Sequence, residues 1–159
     1  MNKKIILNKK QIENSIKRLS FEIIERNINN KKICLVGLEE NGYSIAKRIE
    51  KVISENSKKH LTTIQLKSSK NGFKNSKIIE EDYDVVILID DVLKSGKTII
   101  YALKFLLEFN VKKLRTLVLI DRGHNDFPVG LDFTGIKLST TLEEHILVKL
   151  GKDESAFLN

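Results

Sequence analysis

The sequence predicts an α/β fold with a mainly parallel sheet of about five strands flanked by helices. Two observations indicate this class. Short apolar runs alternate with segments of helical periodicity along the chain, and the runs are continuously apolar, as in strands buried on both faces of a parallel sheet. The 159 residues are 41% apolar and 31% charged, which suits a single globular domain over residues 1–159.

The charge balance of the chain suits a polyanionic ligand. The formal net charge is +7, although lysine-rich surfaces that only aid solubility are an equally good explanation. Cys34 is the single cysteine, so a disulfide within the chain is excluded. Because no long apolar segment occurs and Met1 to Leu7 is too short and polar for a signal peptide, we expect a cytoplasmic protein that does not involve a membrane.

The first helix is predicted from its cap and its apolar stripe. Met1 to Leu7 indicates a short edge strand, and Asn8 then stands as an N-cap with Gln11 in the capping-box position. Apolar residues follow at helical intervals: Ile12, Ile16, Leu19 and Ile23. This spacing places one apolar stripe on a helix that ends near Asn29 and Asn30.

Two strands and a second helix follow. Ile33 to Gly37 is a continuous apolar strand, and the segment Leu38 to Gly42 connects it to a helix that runs through Ile53. His60 to Lys67 alternates between polar and apolar residues, which indicates another strand. Ser68 to Asn75 is polar and rich in lysine, so we expect a loop there.

The strand Val85 to Ile89 and the residues after it carry the strongest signal for a binding site. Asp90 and Asp91 stand at the carboxyl end of this apolar run. A short loop follows, and a helix begins in or just after it and runs to about residue 109. The loop residues are Lys94, Ser95, Gly96, Lys97 and Thr98. Ligands of open α/β sheets bind where strands end, and helix N-termini favour phosphate. Because carboxylates suit hydroxyls or Mg²⁺, the segment predicts a sugar-phosphate site.

One residue excludes a nucleotide-triphosphate loop. Gly96-Lys97-Thr98 resembles the end of a Walker A loop, which needs a glycine five positions before its second glycine. Asp91 stands at that position, and its carboxylate would repel the phosphates that such a loop wraps. A polar turn without function is the remaining alternative to the sugar-phosphate site.

A second polar cluster follows the predicted strand Leu114 to Ile120. Its residues are Asp121, Arg122, Gly123 and His124. Since parallel strands end at one edge of a sheet, we expect this cluster on the edge that also carries Asp90 and Asp91. Arg122 can pair with a phosphate or with Asp121, and His124 can be a functional residue or a structural hydrogen-bond partner. Residues 144–150 are expected to complete the sheet, and the residues after them to fray.

The segment from Val85 to Thr98 resembles the 5-phosphoribosyl-1-pyrophosphate (PRPP) motif of type I phosphoribosyltransferases. Three further stretches, Leu7 to Asn27, Cys34 to Arg48 and Leu117 to Thr140, are similar to the bifunctional pyrimidine-operon attenuator and uracil phosphoribosyltransferases of that family. The most specific match is Asp121-Arg122-Gly123-His124, with Pro128 and Gly135 after it.

The resemblance implies transfer of phosphoribose from PRPP to a pyrimidine-type base, with uracil first among the candidates, and release of pyrophosphate. It implies that Asp90 and Asp91 are catalytic and take the ribose hydroxyls, directly or through Mg²⁺. It also implies a homo-oligomer. The implied binding residues are Lys94, Ser95, Gly96, Lys97 and Thr98 for the 5-phosphate, Glu39, Glu40, Asn41 and Gly42 for the pyrophosphate, and Asp121, Arg122, Gly123 and His124 with a small hood at residues 122–141 for the base.

Two departures from the family pattern favour a second hypothesis. Glu39, Glu40 and Asn41 stand where the family has a cation and a hydroxyl, and the loop after Lys67 is short and lacks an Arg-Asp-Asp signature. Both changes harm turnover more than they harm binding of the 5-phosphate. The alternative function is therefore a catalytically weak, nucleotide-sensing, RNA-binding regulator of pyrimidine genes.

The first helix would supply the RNA-binding surface of such a regulator. Arg18 and Arg26 match the family's basic surface by position, and the RNA partner would be an mRNA leader. A solvated basic face is the competing interpretation of these two residues.

Overall fold

The structure, a computed structural model, describes residues 3–74, 81–141 and 143–159, and within them it contains nine strands and three helices. In chain order these are β1 (Lys4–Asn8), α1 (Lys9–Arg26), β2 (Lys32–Leu38), α2 (Glu39–Asn56), β3 (His60–Ser69), β4 (Gly72–Lys74), β5 (Val85–Leu93), α3 (Lys97–Leu106), β6 (Leu114–Asp121), β7 (Phe133–Lys137), β8 (Ile146–Lys149) and β9 (Ser155–Leu158). Met1 and Asn2 of the predicted edge strand, and Asn75 of the predicted loop, lie outside the described residues. No helix among the described residues combines the length and apolarity needed to cross a membrane.

The main sheet confirms the predicted α/β class. Within the described residues it has six strands in the order β4-β3-β2-β5-β6-β7. All neighbouring pairs are parallel except β3 and the short β4, which are antiparallel. The sheet therefore has one strand more than the sequence predicts, and its central strands β2 and β5 place the carboxyl ends of two buried strands side by side.

Helices cover both faces of the main sheet. α1 and α2 pack on one face, in a core that includes Leu35 of β2 and Ile87 of β5. α3 packs on the other face, in a core that includes Val36 and Leu88. Because successive residues of a strand point to opposite faces, the continuous apolar runs of β2 and β5 supply both cores.

The capping residues of the first helix are confirmed. The Asn8 side chain accepts the backbone N–H of Gln11, and the Gln11 side chain accepts the backbone N–H of Asn8, both at 2.9 Å. The helix ends at Arg26, earlier than predicted, because the Asn27 side chain donates to the carbonyl of Ile23 and so satisfies part of the last turn. The predicted apolar stripe is buried throughout.

The polar segment predicted as a loop after Lys67 is a hairpin over its described residues. β3 continues to Ser69, and β4 returns beside it with Phe73 opposite Ser68. Phe73 is partly buried against the core under α3. This one aromatic anchor explains why a strand forms among lysines that by themselves indicate a loop.

The prediction that residues 144–150 complete the main sheet is wrong. β8 lies in a separate three-stranded antiparallel sheet of order β1-β9-β8. In β8, Ile146 is buried whereas Leu147 is 42% exposed, the pattern of a strand with one solvated face rather than a central parallel strand. The residues expected to fray instead form β9, the middle strand of this sheet, which pairs Leu158 with Lys4 of β1.

The predicted hood at residues 122–141 also needs correction. Residues 133–137 form β7, the sixth strand of the main sheet, parallel to β6. Phe133 holds this segment in the sheet, because its side chain is buried in the core under α1 and α2. The hood therefore does not form one separate unit over the whole predicted range.

A partly buried ion pair connects α2, which packs on the main sheet, to the turn before β9 of the second sheet. Arg48 of α2 makes two hydrogen bonds of 3.1 Å to Glu154, in the turn before β9, and the Glu154 side chain is only 5% exposed. We expect Glu154→Ala to lower the free energy of unfolding by about 2 kcal/mol, because it leaves the Arg48 guanidinium without its carboxylate. Urea denaturation measures this change.

The control variant for that measurement is Lys47→Ala on the same helix. Lys47 pairs with Glu50 at 2.9 Å, and its side chain is half exposed, so its loss is expected to change the free energy of unfolding by less than about 0.5 kcal/mol. Equal effects of the two variants would show that the Arg48–Glu154 pair does not stabilise the fold.

Candidate active site

The predicted phosphate loop connects β5 to α3, and its backbone is shaped for a close approach. Gly96 has a φ of 87° and is the residue before the first turn of α3. The Ser95 hydroxyl accepts the N–H of Lys97 at 3.2 Å, and the Ser95 carbonyl accepts the N–H of Phe127 at 3.0 Å. The N-cap residue Gly96 offers no side-chain cap, so the first-turn amides other than that of Lys97 are available to an anion.

A cleft of about 420 Å³ lies beside this loop. Its walls bring together the predicted aspartates, most of the phosphate loop and the start of α2. The lining residues are Leu38, Glu39, Glu40, Asn41, Asp90, Asp91, Val92, Leu93, Lys94, Ser95, Gly96, Thr98 and Ile99. Of the residues predicted for the 5-phosphate and the pyrophosphate, two do not line the cleft. The Lys97 ammonium lies 6.0 Å from the ring centre of Tyr101, and Gly42 is buried.

The two aspartates lie within β5 rather than after it. The strand continues through them because Val92 and Leu93 are buried and hold the chain in the sheet. Asp90 Oδ1 accepts the N–H of Asp91, and Asp91 Oδ1 accepts the N–H of Val92, both at 2.8 Å. Burial, followed by the charge of Asp91, raises the pKa of Asp90 well above its ordinary value. A cation placed beside this pair would favour the ionised form of Asp90.

The segment predicted as a pyrophosphate loop is the first turn of α2. Glu39 takes a left-handed backbone conformation with a φ of 51°, which turns β2 directly into the helix without loop residues. Its side chain accepts the N–H of Ser68 at 2.7 Å, and this contact holds the turn. Gly42 lets α2 approach β5, because a Cβ there would lie 2.5 Å from the carbonyl oxygen of Ile89.

Glu40 faces a lysine across the mouth of the cleft. Its carboxylate lies 2.8 Å from the Lys67 ammonium, and the two side chains are 77% and 58% exposed. The hydrogen bond from Lys67 lowers the pKa of Glu40 and raises the pKa of Lys67. Lys67 is thus a positive charge beside the cleft that is neutralised by a residue of the chain itself.

The second predicted cluster, residues 121–124, lies beside a separate cavity. Arg122 contacts His124 and not Asp121: its side chain donates to the His124 carbonyl and lies 3.4 Å from Nδ1 of the same residue. His124 Nε2 lies 3.2 Å from the Thr140 hydroxyl. Asp121 accepts the N–H of Gly123 at 2.9 Å. Of the four residues, Asp121 and Gly123 line the cavity.

This cavity has a volume of about 400 Å³ and shares Leu93 with the wall of the cleft. Sequence reasoning did not single out several of its residues. They are Asn125, Val129, Leu131, Thr134 and Lys137. Thr134 and Lys137 belong to β7, so the signal that would have found them is the strand character of that segment.

Arg18 and Arg26 hold α1 against the edge of the main sheet. Arg18 lies 2.6 Å from Glu22 and donates to the carbonyl of Gly135 in β7. Arg26 donates to the carbonyl of Asp132 and lies over the ring of Phe133, 4.9 Å from its centre. Both guanidiniums therefore have structural partners, and their role toward RNA stays a prediction.

The fold is that of an α/β protein whose cleft lies at the carboxyl ends of its parallel strands, the usual place for a ligand in this class. A family model described as "Phosphoribosyl transferase domain" matches residues 2–150, and the chain belongs to that family. The relatives named "Bifunctional protein PyrR" include those of Haemophilus ducreyi, with 35% identity over 92% of this chain and 89% of the relative, and of Fusobacterium nucleatum, with 36% identity over 98% and 97%.

Solved structures share the fold at much lower identity. The hypoxanthine phosphoribosyltransferase of Trypanosoma cruzi aligns with a TM-score of 0.76 and 14% identity, over 91% of this chain and 85% of that one. A hypoxanthine-guanine phosphoribosyltransferase of Bacillus anthracis aligns with a TM-score of 0.68 and 17% identity, over 87% and 84%. These alignments confirm the type of fold that the sequence predicts.

Proposed function

We propose that the chain transfers phosphoribose from PRPP to a pyrimidine-type base, with uracil as the first candidate, and releases pyrophosphate. The observation that carries this proposal is the single cleft that contains both adjacent aspartates and the helix-start phosphate loop. Membership of the phosphoribosyltransferase family and the PyrR relatives support it. A homo-oligomer in the cytoplasm stays a prediction from the sequence.

Different residues of the cleft would bind different parts of the substrate. The amides and hydroxyls of residues 94–98 would hold the 5-phosphate, and Asp90 and Asp91 would accept hydrogen bonds from the ribose hydroxyls. The bond between C1 and the pyrophosphate oxygen breaks as a bond from C1 to the base nitrogen forms, and the N–H proton of the base passes to the released pyrophosphate or to solvent water. The protein acts by positioning and by charge stabilisation, since it forms no covalent bond to the substrate.

Mg²⁺ fits this cleft as an ion carried mainly by the substrate. Among the described residues, no group of three or more metal-binding side chains converges on one point. Asp90 and Asp91 would hold the ion indirectly, through its water shell and the ribose oxygens, in keeping with the reluctance of Mg²⁺ to lose water. When bound, Mg²⁺ would neutralise charge on the pyrophosphate.

The experiment that tests the proposal is calorimetric titration with PRPP, with and without Mg²⁺, followed by addition of uracil. Mg²⁺-dependent binding, followed by formation of UMP and pyrophosphate, is the expected result. PRPP binding without a reaction for uracil or any other pyrimidine base would overturn the transferase proposal and leave the regulator. If the chain did not bind PRPP at all, the cleft would be neither the active site of a transferase nor the PRPP sensor of a regulator.

The regulator remains the second candidate because of one feature of the cleft. Glu40 neutralises Lys67 at the place where a transferase would gain from a free cation. RNA affinity that falls steeply with added salt and changes with UMP or PRPP would support the regulator. If Arg18→Ala and Arg26→Ala left that affinity intact, the RNA surface would lie elsewhere than on these residues.

We expect Glu40→Gln to raise the affinity for pyrophosphate by about three- to fivefold, the usual size of an effect from one exposed charge. The change removes a carboxylate that repels the ligand and releases the Lys67 ammonium. Titration with pyrophosphate at low ionic strength measures it. The control is Glu50→Gln on the same helix, which breaks an equivalent pair with Lys47 that does not line the cleft. An unchanged affinity in Glu40→Gln would show that pyrophosphate does not bind near Glu40 and Lys67.

A further inference from the structure

The side chain of Asn41 connects the aspartate pair to the second sheet. Its Nδ2 donates to Asp91 Oδ2 at 2.8 Å and to the carbonyl of Val148 in β8 at 2.9 Å. Asp91 Oδ1 in turn accepts the N–H of Val92 at 2.8 Å. Both oxygens of the Asp91 carboxylate are therefore held by donors of the chain, and all three residues of this contact are at least partly buried.

We infer that Asn41 is a positioning residue that fixes the orientation of the Asp91 carboxylate toward the ribose hydroxyls of the substrate. This inference rests on the proposed function of the cleft. By sequence position Asn41 was expected to face the pyrophosphate, whereas its amide is turned to Asp91 and to β8. The chain thus uses this position to orient a catalytic carboxylate instead of holding the leaving group.

The contact requires a side chain that donates two hydrogen bonds, as the Asn41 amide does. A carboxylate cannot donate to Asp91, and an aliphatic side chain leaves both Asp91 Oδ2 and the Val148 carbonyl without this donor. Without the Asn41 donor, the Asp91 carboxylate keeps only the backbone contact at Oδ1, so its rotation about the Cβ–Cγ bond is less restricted. The bound ribose would then have to order the carboxylate itself, which weakens PRPP binding.

The test compares Asn41→Ala and Asn41→Asp with the control Asn56→Ala. Asn56 lies at the other end of α2, and its side chain also donates to a carbonyl, that of Val52. We expect Asn41→Ala to raise the KM for PRPP by about tenfold or more, the usual effect of losing a hydrogen bond to a charged group. Asn41→Asp has the same shape and should lose at least as much. The KM for the base should stay within about twofold in all three variants.

The separate response of the two substrates distinguishes positioning from general damage, because a loosened fold would impair both. An Asn41→Ala enzyme with the wild-type KM for PRPP, or with equal losses for PRPP and base, would overturn the inference. If the wild-type chain does not bind PRPP, the proposed function fails. Crystal structures of the wild type and of Asn41→Ala then test the positioning of Asp91 by Asn41 separately. A rotated Asp91 carboxylate in Asn41→Ala would support the positioning role, and an unchanged orientation would overturn it.

Discussion

The variant that carries both Asp90→Asn and Asp91→Asn is expected to bind PRPP about 100-fold more weakly than the wild-type chain, or not at all. Both carboxylates line the cleft beside the phosphate loop, and replacing them removes two charged acceptors for the ribose hydroxyls and the negative charge that favours Mg²⁺. Calorimetry with PRPP and Mg²⁺ measures the loss. The control is Asp82→Asn, which removes an exposed carboxylate paired with Lys112 before the start of β5. If the double variant bound PRPP with wild-type affinity, the two aspartates would not be part of the PRPP site.

The single variant Asp90→Asn is expected to be as stable as the wild-type chain or more so, which separates folding from binding at this position. The folded-state pKa of Asp90 is raised, so the folded chain holds this proton more tightly than the unfolded chain. Stability therefore falls as pH rises from the ordinary carboxyl pKa through the raised one. Urea denaturation across this pH range should show the fall in the wild type and a flatter profile in Asp90→Asn. A steeper profile in the variant would contradict the assignment.

Gly96→Ala is expected to lower the affinity for ribose 5-phosphate by about tenfold or more and to leave the affinity for pyrophosphate unchanged. Gly96 has a φ of 87°, and a Cβ there would lie 2.9 Å from the carbonyl oxygen of Phe127 and 3.0 Å from a methyl group of Val129. The variant must either strain the loop or move it, and both change the amides that face the phosphate. Titration with each ligand separately measures the two affinities.

The matched control for this glycine is Gly130→Ala. A Cβ at Gly130 meets no atom within 4 Å, and its φ is not in the left-handed region. Its effect on either affinity should be within about twofold. If Gly96→Ala bound ribose 5-phosphate as well as Gly130→Ala does, the 5-phosphate would lie outside the loop of residues 94–98.

Those parts of the fold with a local signature were predictable from the sequence. The capping box at Asn8 and the buried strand that starts at Val85 are both present, because each depends on a few neighbouring residues. β7 was missed because its sequence Phe-Thr-Gly-Ile-Lys contains a glycine in mid-strand and lies in a region where the family resemblance implied a hood. Its place in the sheet depends on burial of Phe133 under α1, a contact between distant parts of the chain.

The candidate site shows the same division. Its residues could be predicted from strand ends and loop composition, and the structure brings Asp90, Asp91 and most of the phosphate loop to one cleft. The role of Asn41 could not be predicted, because its partner Asp91 lies 50 residues away in sequence. The direct turn from β2 into α2 could not be predicted either, since glutamate is not a residue type that indicates the left-handed conformation of Glu39.

The pairing of β1 with β9 has a consequence for biosynthesis. β1 and α2 leave the ribosome well before β8 and β9, yet β1 needs β9 as its sheet partner and Asn41 needs the carbonyl of Val148 in β8. The main sheet can assemble around β2, β5 and β6 while translation continues, but the arrangement of the cleft must wait for the C-terminal strands. A nascent chain halted before β8 would therefore display an edge of β1 ready for mispairing, and chaperone contact should concentrate on that intermediate.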